Sequence, residues 1–213
     1  MINKAFNIPL TKNPVINMKV VPGHFTTNHF HISHYLDLDN LKTNASLARD
    51  VAIELALPYL SSTLVDTIVC MEGTEVIGAY MAEELMQEGT SIVNSGRNIH
   101  VITPISNIDR KLMFQNNMQD LIFNKNIILV VSTISSGTTV NNALECLSYY
   151  GAHIVGVSAL FNANPEILSQ EFNSMFVNSD IPNYKTYKPD ECEICKKGHK
   201  LDAIIYHDGY TKI

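Results

Sequence analysis

Short, almost fully apolar runs recur along most of the chain. The runs that are rich in β-branched residues are VDTIVCM (65–71), NIHVIT (98–103), NIILVV (126–131) and HIVGVSALF (153–161). Runs of this kind are typical of strands that are buried on both faces of a sheet. The sequence therefore predicts four core strands.

Segments with apolar residues at helical spacing precede or separate these runs. One follows Asn40 and stops at Pro58, a second ends at Gly89, and a third ends at Gly151. Strands that alternate with helices predict an α/β fold in three layers, with a mainly parallel sheet flanked by helices. Ligands of such sheets bind at the carboxyl ends of the strands, so chemistry is expected in loops 72–74 and 132–139.

The two ends of the chain differ from this core. The first forty residues contain Pro9, Pro14 and Pro22 between short apolar runs, which favours edge strands and turns. We expect an amino-terminal hood (1–39), a core (40–180), and a Cys-containing carboxyl-terminal tail (181–213) that packs on the hood.

The composition limits the kinds of partner that the protein is expected to bind. The 213 residues are 46% hydrophobic and 17% charged, with a formal net charge of −6. This charge argues against the basic surface that binds nucleic acid or an anionic membrane. Since no apolar run approaches ~20 residues and MINKAFNIPLTKNP does not resemble a signal peptide, we expect a cytoplasmic protein whose partners are small solutes or proteins.

The loop after the third apolar run has the composition of a phosphate site. Small and hydroxylated residues surround one glycine directly before a predicted helix: Ser132, Thr133, Ser135, Ser136, Gly137, Thr138 and Thr139. Backbone amides at a helix start, the helix dipole and the hydroxyl groups all favour an anion. The loop matches neither the Walker pattern nor G-x-G-x-x-G. The alternative is a hydroxyl-rich helix cap without a ligand.

This loop resembles the signature of type I phosphoribosyltransferases, and within them the orotate phosphoribosyltransferase-like group. The matching residues are Leu129, Val130, Ser135, Ser136, Gly137 and Thr139. The acidic pair of the signature falls on Val131 and Ser132. The resemblance implies a homodimer that binds phosphoribosyl pyrophosphate with Mg²⁺, or a nucleoside monophosphate, and transfers phosphoribose to a nucleobase in nucleotide metabolism.

Looser matches extend the resemblance over roughly residues 40 to 200. Glu72-Gly73-Thr74 stands where the family has its pyrophosphate-binding turn, and Arg110 and Lys111 stand where a mobile loop carries a cation over the active site. In the family, the acidic pair holds the ribose hydroxyls and stabilises the cationic sugar. Glu72 or Asp109 are candidates to replace these acids from a neighbouring loop.

Three functions stay open at this point. The first is an orotate-type transferase. The second is a catalytically silent sensor of nucleotide or phosphoribosyl pyrophosphate, which the Val131-Ser132 departure favours, because losing one preorganised electrostatic group costs about 10²- to 10³-fold in rate. The third is a structural partner protein.

A second group of residues suggests a metal site. Cys192 and Cys195 have the C-x2-C spacing of a zinc knuckle, and four of the eight histidines lie within eleven residues: His24, His29, His31 and His34. His29 and His31 would share one face of a strand, so these two and the cysteines are the predicted ligands of a structural Zn²⁺. His199 is the alternative third ligand. A disulfide, free thiols, or histidines that only pack are the other interpretations.

Overall fold

The chain forms two compact units in the computed structural model, which describes residues 5–90, 92–107, 111–165, 172–206 and 209–213. The larger unit runs from Lys42 to Val177, and the smaller unit combines Met1–Leu41 with Asn178–Ile213. None of the helices in the described ranges is long and apolar enough to cross a membrane.

The strands and helices of the described residues have the following bounds. The strands are β1 (Phe6–Pro9), β2 (Asn17–Thr26), β3 (His31–Asp37), β4 (Thr67–Cys70), β5 (His100–Ile102), β6 (Ile105–Ser106), β7 (Leu112–Met113), β8 (Asn126–Ile134), β9 (His153–Asn162), β10 (Asn173–Val177), β11 (Thr186–Tyr187), β12 (Ala203–Tyr206) and β13 (Gly209–Lys212). The helices are α1 (Asp39–Thr43), α2 (Ala45–Ala56), α3 (Glu75–Met86), α4 (Thr138–Tyr149) and α5 (Glu193–Lys196).

The larger unit is a three-layer α/β structure. Its main sheet has five strands, all parallel, in the order β10-β9-β8-β4-β5, and β6 and β7 form a separate antiparallel pair. Val69, Leu129 and Val131 share a buried cluster with residues of α4, whereas Gly78 of α3 lies against Ile68 and Cys70 of β4. Because successive strand residues point to opposite faces, α3 and α4 cover opposite sides of the sheet. The predicted fold class is confirmed.

The single helix predicted after Asn40 is wrong, because the chain forms two helices there. The side chain of Asn44 accepts hydrogen bonds from the amides of Ser46 (3.1 Å) and Leu47 (3.3 Å), so it caps a new helix, α2. Helix α2 ends before Pro58, as predicted, and continues as a short 3₁₀ turn, Leu57–Tyr59.

The smaller unit contains a sheet that is built from both ends of the chain. Its strand order is β11-β3-β2-β12-β13, with β1 also paired to β2. The pairing of β12 with β2 is parallel, and the other pairings are antiparallel. A bulge lies between Pro22 and Phe25 of β2. The described part of the last 36 residues thus contributes three strands that the sequence pattern did not predict.

The contact of α3 with β4 is tight enough to test the packing of the larger unit. A methyl group at Gly78 would overlap the Cys70 sulfur and lie 3.2 Å from a Val101 methyl group. We expect Gly78→Ala to destabilise the protein by about 1–3 kcal/mol in urea unfolding, since overpacking outweighs the gain in helix propensity. Cys70→Ala should restore part of this loss. Strictly additive effects of the two substitutions would contradict the close contact.

Candidate functional site

The loop between β8 and α4 lies at the carboxyl end of the parallel sheet. Gly137 is buried and has φ +77°, a left-handed conformation that glycine adopts without strain, and α4 begins at the next residue. The Ser136 hydroxyl accepts a hydrogen bond from the Thr138 amide (3.3 Å), and the Asn164 side chain donates to the Ser135 carbonyl (2.6 Å). The loop thus presents hydroxyl groups beside a helix N-terminus, which is an arrangement that binds anions.

The carboxylate of Glu72 reaches across from the neighbouring strand. Its Oε2 accepts hydrogen bonds from the backbone amides of Ser132 and Thr133, both at 3.2 Å. Glu72 lies two residues beyond the end of β4 and has φ +59°, a left-handed conformation. The sequence named Glu72 as a candidate replacement for the acidic pair, and the structure places its carboxylate against Ser132, the second position of that pair.

Val131 and Ser132 have different environments. Val131 is fully buried in the apolar cluster that includes Leu129 and Val140, so its side chain belongs to the core. Ser132, at 5% exposure, follows it on the strand and so points to the opposite face. Glu72 is consequently the carboxylate that the described structure places at the end of β8.

The predicted pyrophosphate turn, Glu72-Gly73-Thr74, is held by a buried hydroxyl group. Thr74 is fully buried, and its Oγ1 lies within hydrogen-bond distance of the carbonyls of Met71 (2.9 Å) and Val130 (3.1 Å). Gly73 has φ +80° and lies on the surface. The turn is therefore fastened to both β4 and β8 while its outer residue stays accessible.

A buried cation underlies this turn. Lys42, in the last turn of α1, is only 7% exposed, and its ammonium group donates to the Glu72 carbonyl at 3.3 Å. A Cβ atom at Gly73 would lie 3.8 Å from the same nitrogen. No sequence motif marks Lys42, which occurs within a helical segment, so its place beside this turn was not predicted.

The structure describes only one of the two residues that were predicted as mobile-loop cations. Arg110 and Asp109 lie outside the described residues. Lys111 is exposed, and its amide donates to the Asn107 side chain at 2.9 Å in the connection of β6 and β7. The assignment of Arg110 and Lys111 as catalytic cations stays a prediction.

The two lone thiols have core environments. Cys70 is fully buried, and burial raises the pKa of its thiol to about 12. Burial also raises the pKa of Cys146, which donates a hydrogen bond to the Leu112 carbonyl. Since the thiolate is the nucleophile, neither cysteine is suited to nucleophilic chemistry at neutral pH.

The smaller unit brings cysteines and histidines together. One potential ligand atom from each of His24, His31, Cys192 and Cys195 lies within 4.8 Å of the others. Three of these residues are in the predicted set, but His24 takes the place assigned to His29. His29 is exposed in the turn before β3, where Thr27 Oγ1 accepts its amide, so the two-residue alternation of a strand does not apply to it. His199 is also exposed and outside the cluster.

Solved structures share this architecture. Leishmania donovani UMP synthase matches with a TM-score of 0.55 and 19% identity, over 74% of this chain and 33% of its own. Trypanosoma brucei adenine phosphoribosyl transferase, in complex with AMP, pyrophosphate and ribose-5-phosphate, matches with a TM-score of 0.52 and 12% identity, over 80% of this chain and 79% of its own. The chain has a phosphoribosyltransferase fold.

The similarity of this chain to these solved proteins lies in the three-dimensional structure. No protein-family model and no curated protein sequence matches the chain. The chain spans about a third of the UMP synthase chain and most of the adenine phosphoribosyl transferase chain. The predicted loop 132–139 is shorter in the structure, because β8 continues to Ile134 and α4 begins at Thr138. The loop 135–137 and the turn 72–74 lie at the carboxyl ends of the adjacent strands β8 and β4, where α/β sheets bind their ligands.

Proposed function

We propose that this protein binds a phosphoribosyl ligand, phosphoribosyl pyrophosphate or a nucleoside monophosphate, and transfers phosphoribose to a nucleobase, as orotate-type phosphoribosyltransferases do. The observation that carries the proposal is the loop Ser135–Thr139 with its left-handed Gly137, directly before α4 in a phosphoribosyltransferase fold. The solved relative from Trypanosoma brucei holds AMP, pyrophosphate and ribose-5-phosphate, which are ligands of the proposed class.

The loop supplies the contacts that a 5′-phosphate needs. The proposed donors are the amides of α4 after Thr138, whose own amide donates to the Ser136 hydroxyl, and the hydroxyl groups of Ser135, Thr138 and Thr139; all three of these residues are exposed. The hydrogen bonds that Glu72 accepts come from Ser132 and Thr133, upstream of the loop. The carboxylate and the phosphate would therefore use different amides.

Glu72 is the proposed partner of the sugar. A carboxylate at the end of β8 would stabilise the positive charge that develops on the ribose ring as pyrophosphate leaves. The two amide donors fix its position before the ligand arrives, and such preorganisation is what makes a charged group effective in a transition state.

Lys42 and the turn 72–74 are the proposed site of the leaving pyrophosphate. The ammonium group lies beneath the turn, and the exposed Gly73 leaves its outer side accessible. Mg²⁺ prefers oxygen ligands and is commonly held by substrate phosphates with few protein carboxylates. Mg²⁺ would enter with phosphoribosyl pyrophosphate, and the Glu72 carboxylate would lie beside it. The homodimer implied by the family resemblance belongs to the same proposal.

Replacement of Gly137 tests the binding site. Gly137→Leu should lower the affinity for ribose 5-phosphate at least tenfold in calorimetric titration, because a side chain would block close approach to the loop and strain a left-handed residue by about 1–2 kcal/mol. Gly89→Leu is the matched control: Gly89 also has positive φ, and nothing lies within 4 Å of its Cβ position. Failure of the unaltered protein to bind ribose 5-phosphate, nucleoside monophosphates and phosphoribosyl pyrophosphate below about millimolar would refute the proposal.

A charge substitution separates transfer from binding. Glu72→Gln should lower the rate of pyrophosphate release about 10²- to 10³-fold, while ribose 5-phosphate binds equally well or more tightly, since a negative charge is removed. Glu75→Gln is the control, because the Glu75 carboxylate is exposed and accepts a hydrogen bond from Thr103 instead.

The same assay decides between an enzyme and a sensor. If the unaltered protein binds phosphoribosyl pyrophosphate but releases no pyrophosphate with any of a panel of nucleobases, the transferase assignment is wrong and binding alone remains. If transfer occurs but is insensitive to Glu72→Gln, the role of Glu72 is wrong.

A further inference from the structure

The four residues of the Cys/His cluster are spaced like the ligands of one metal ion. The distances from His24 Nε2 are 3.3 Å to His31 Nδ1, 3.4 Å to Cys192 Sγ and 3.6 Å to Cys195 Sγ, and Cys195 Sγ lies 3.3 Å from His31 Nδ1. Zinc bonds of about 2.3 Å to sulfur and about 2.0–2.1 Å to nitrogen place tetrahedral ligand atoms about 3.3–3.8 Å apart. The observed distances agree with this geometry.

Hydrogen bonding alone does not account for this arrangement. A neutral imidazole nitrogen carries either one proton or one lone pair, so His24 Nε2 can make one good hydrogen bond. Three polar atoms nevertheless converge on it. A cation at the centre would satisfy all four ligand atoms at once.

The surroundings of His24 set the tautomer that a metal requires. Its other ring nitrogen, Nδ1, lies 3.2 Å from the carbonyls of both His199 and Lys200. Since carbonyls only accept hydrogen bonds, Nδ1 carries the proton and Nε2 directs its lone pair toward the cluster. The Asp202 carboxylate accepts the His24 amide at 2.8 Å, and the Asp202 amide donates to the His24 carbonyl at 2.7 Å. Hydrogen bonds therefore hold both the ring and the backbone of His24.

The cysteines lie in a turn of compatible shape. Cys192 directly precedes α5 and is buried, whereas Cys195 is exposed. Gly198 follows with φ +79°, and its amide donates to the Cys195 carbonyl at 2.8 Å. This left-handed glycine closes the turn that holds the two sulfur atoms beside β2 and β3.

We propose that His24, His31, Cys192 and Cys195 bind one structural Zn²⁺ ion. Two thiolates and two imidazoles in a tetrahedron are typical of zinc, and four protein ligands leave no open position for catalysis. The metal would add a cross-link beside the buried residues Phe25, Ile32 and Ala203, which pack together with partly buried neighbours. The proposal is independent of the function of the larger unit.

Metal analysis of untagged protein tests the proposal. We expect about one equivalent of zinc per chain by mass spectrometry, and intense thiolate-to-metal charge-transfer absorption after replacement by Co²⁺. Alkylation after unfolding should find all four thiols reduced, with Cys192 and Cys195 protected in the native protein until a strong chelator is added. Chelation should also lower the Tm.

Matched variants identify the ligands. Cys195→Ser removes an exposed ligand without opening the core and should lose the bound zinc, and His24→Ala should do the same. His29→Ala and His199→Ala should retain it. Folded, metal-free protein after expression in zinc-supplemented medium, a Cys192–Cys195 disulfide, or zinc retained by both ligand variants would overturn the proposal. Should Cys195→Ser fail to fold, the Co²⁺ spectrum of the unaltered protein still decides the coordination.

Discussion

The two hydrogen bonds from the end of β8 to Glu72 organise the candidate site. β4 ends at Cys70, opposite Val130, whereas β8 continues to Ile134. Beyond Val130, β8 has no strand partner among the described residues on its β4 edge, and backbone amides need an acceptor. The Glu72 carboxylate accepts the amides of Ser132 and Thr133 at this end of β8. These two hydrogen bonds therefore fix an acid beside the carboxyl end of the strand.

The position of the Glu72 carboxylate determines which other charges the candidate site needs. A carboxylate beside the proposed phosphate loop would oppose the binding of phosphate, so it would need a compensating group or a cationic ligand nearby. Lys42 lies beneath the same turn, and the start of α4 adds the positive end of a helix dipole. A ligand with an anionic phosphate and a ring that becomes cationic matches this combination better than a plain phosphate does.

The sequence pattern predicted the features that depend on composition. It did not predict features that depend on a single helix cap, a bulge or a tertiary contact. The β-branched runs predicted β4, β5, β8 and β9, four of the five strands of the parallel sheet. The glycine-containing loop predicted a phosphate site, which stays a prediction. The Asn44 cap divided one apolar periodicity into two helices, and the bulge at Pro22–Phe25 put His24, rather than His29, beside the cysteines. The contact of Lys42 with the Glu72 turn depends on tertiary packing, which local spacing does not encode. Strands of two to four residues, such as β11 and β12, are too short to show a pattern.

The ligand set of the proposed zinc site also has a consequence for folding. His24 and Cys192 are 168 residues apart, and the whole larger unit lies between them in the chain. The entropy lost on closing a loop grows with the logarithm of its length, so a cross-link between distant residues is costly to form from the unfolded chain. In this sheet β12 contributes only two paired residues to β2, and β11 only two to β3. Such short pairings gain little against that entropy, and the proposed metal bond to both ends of the chain would supply what they lack.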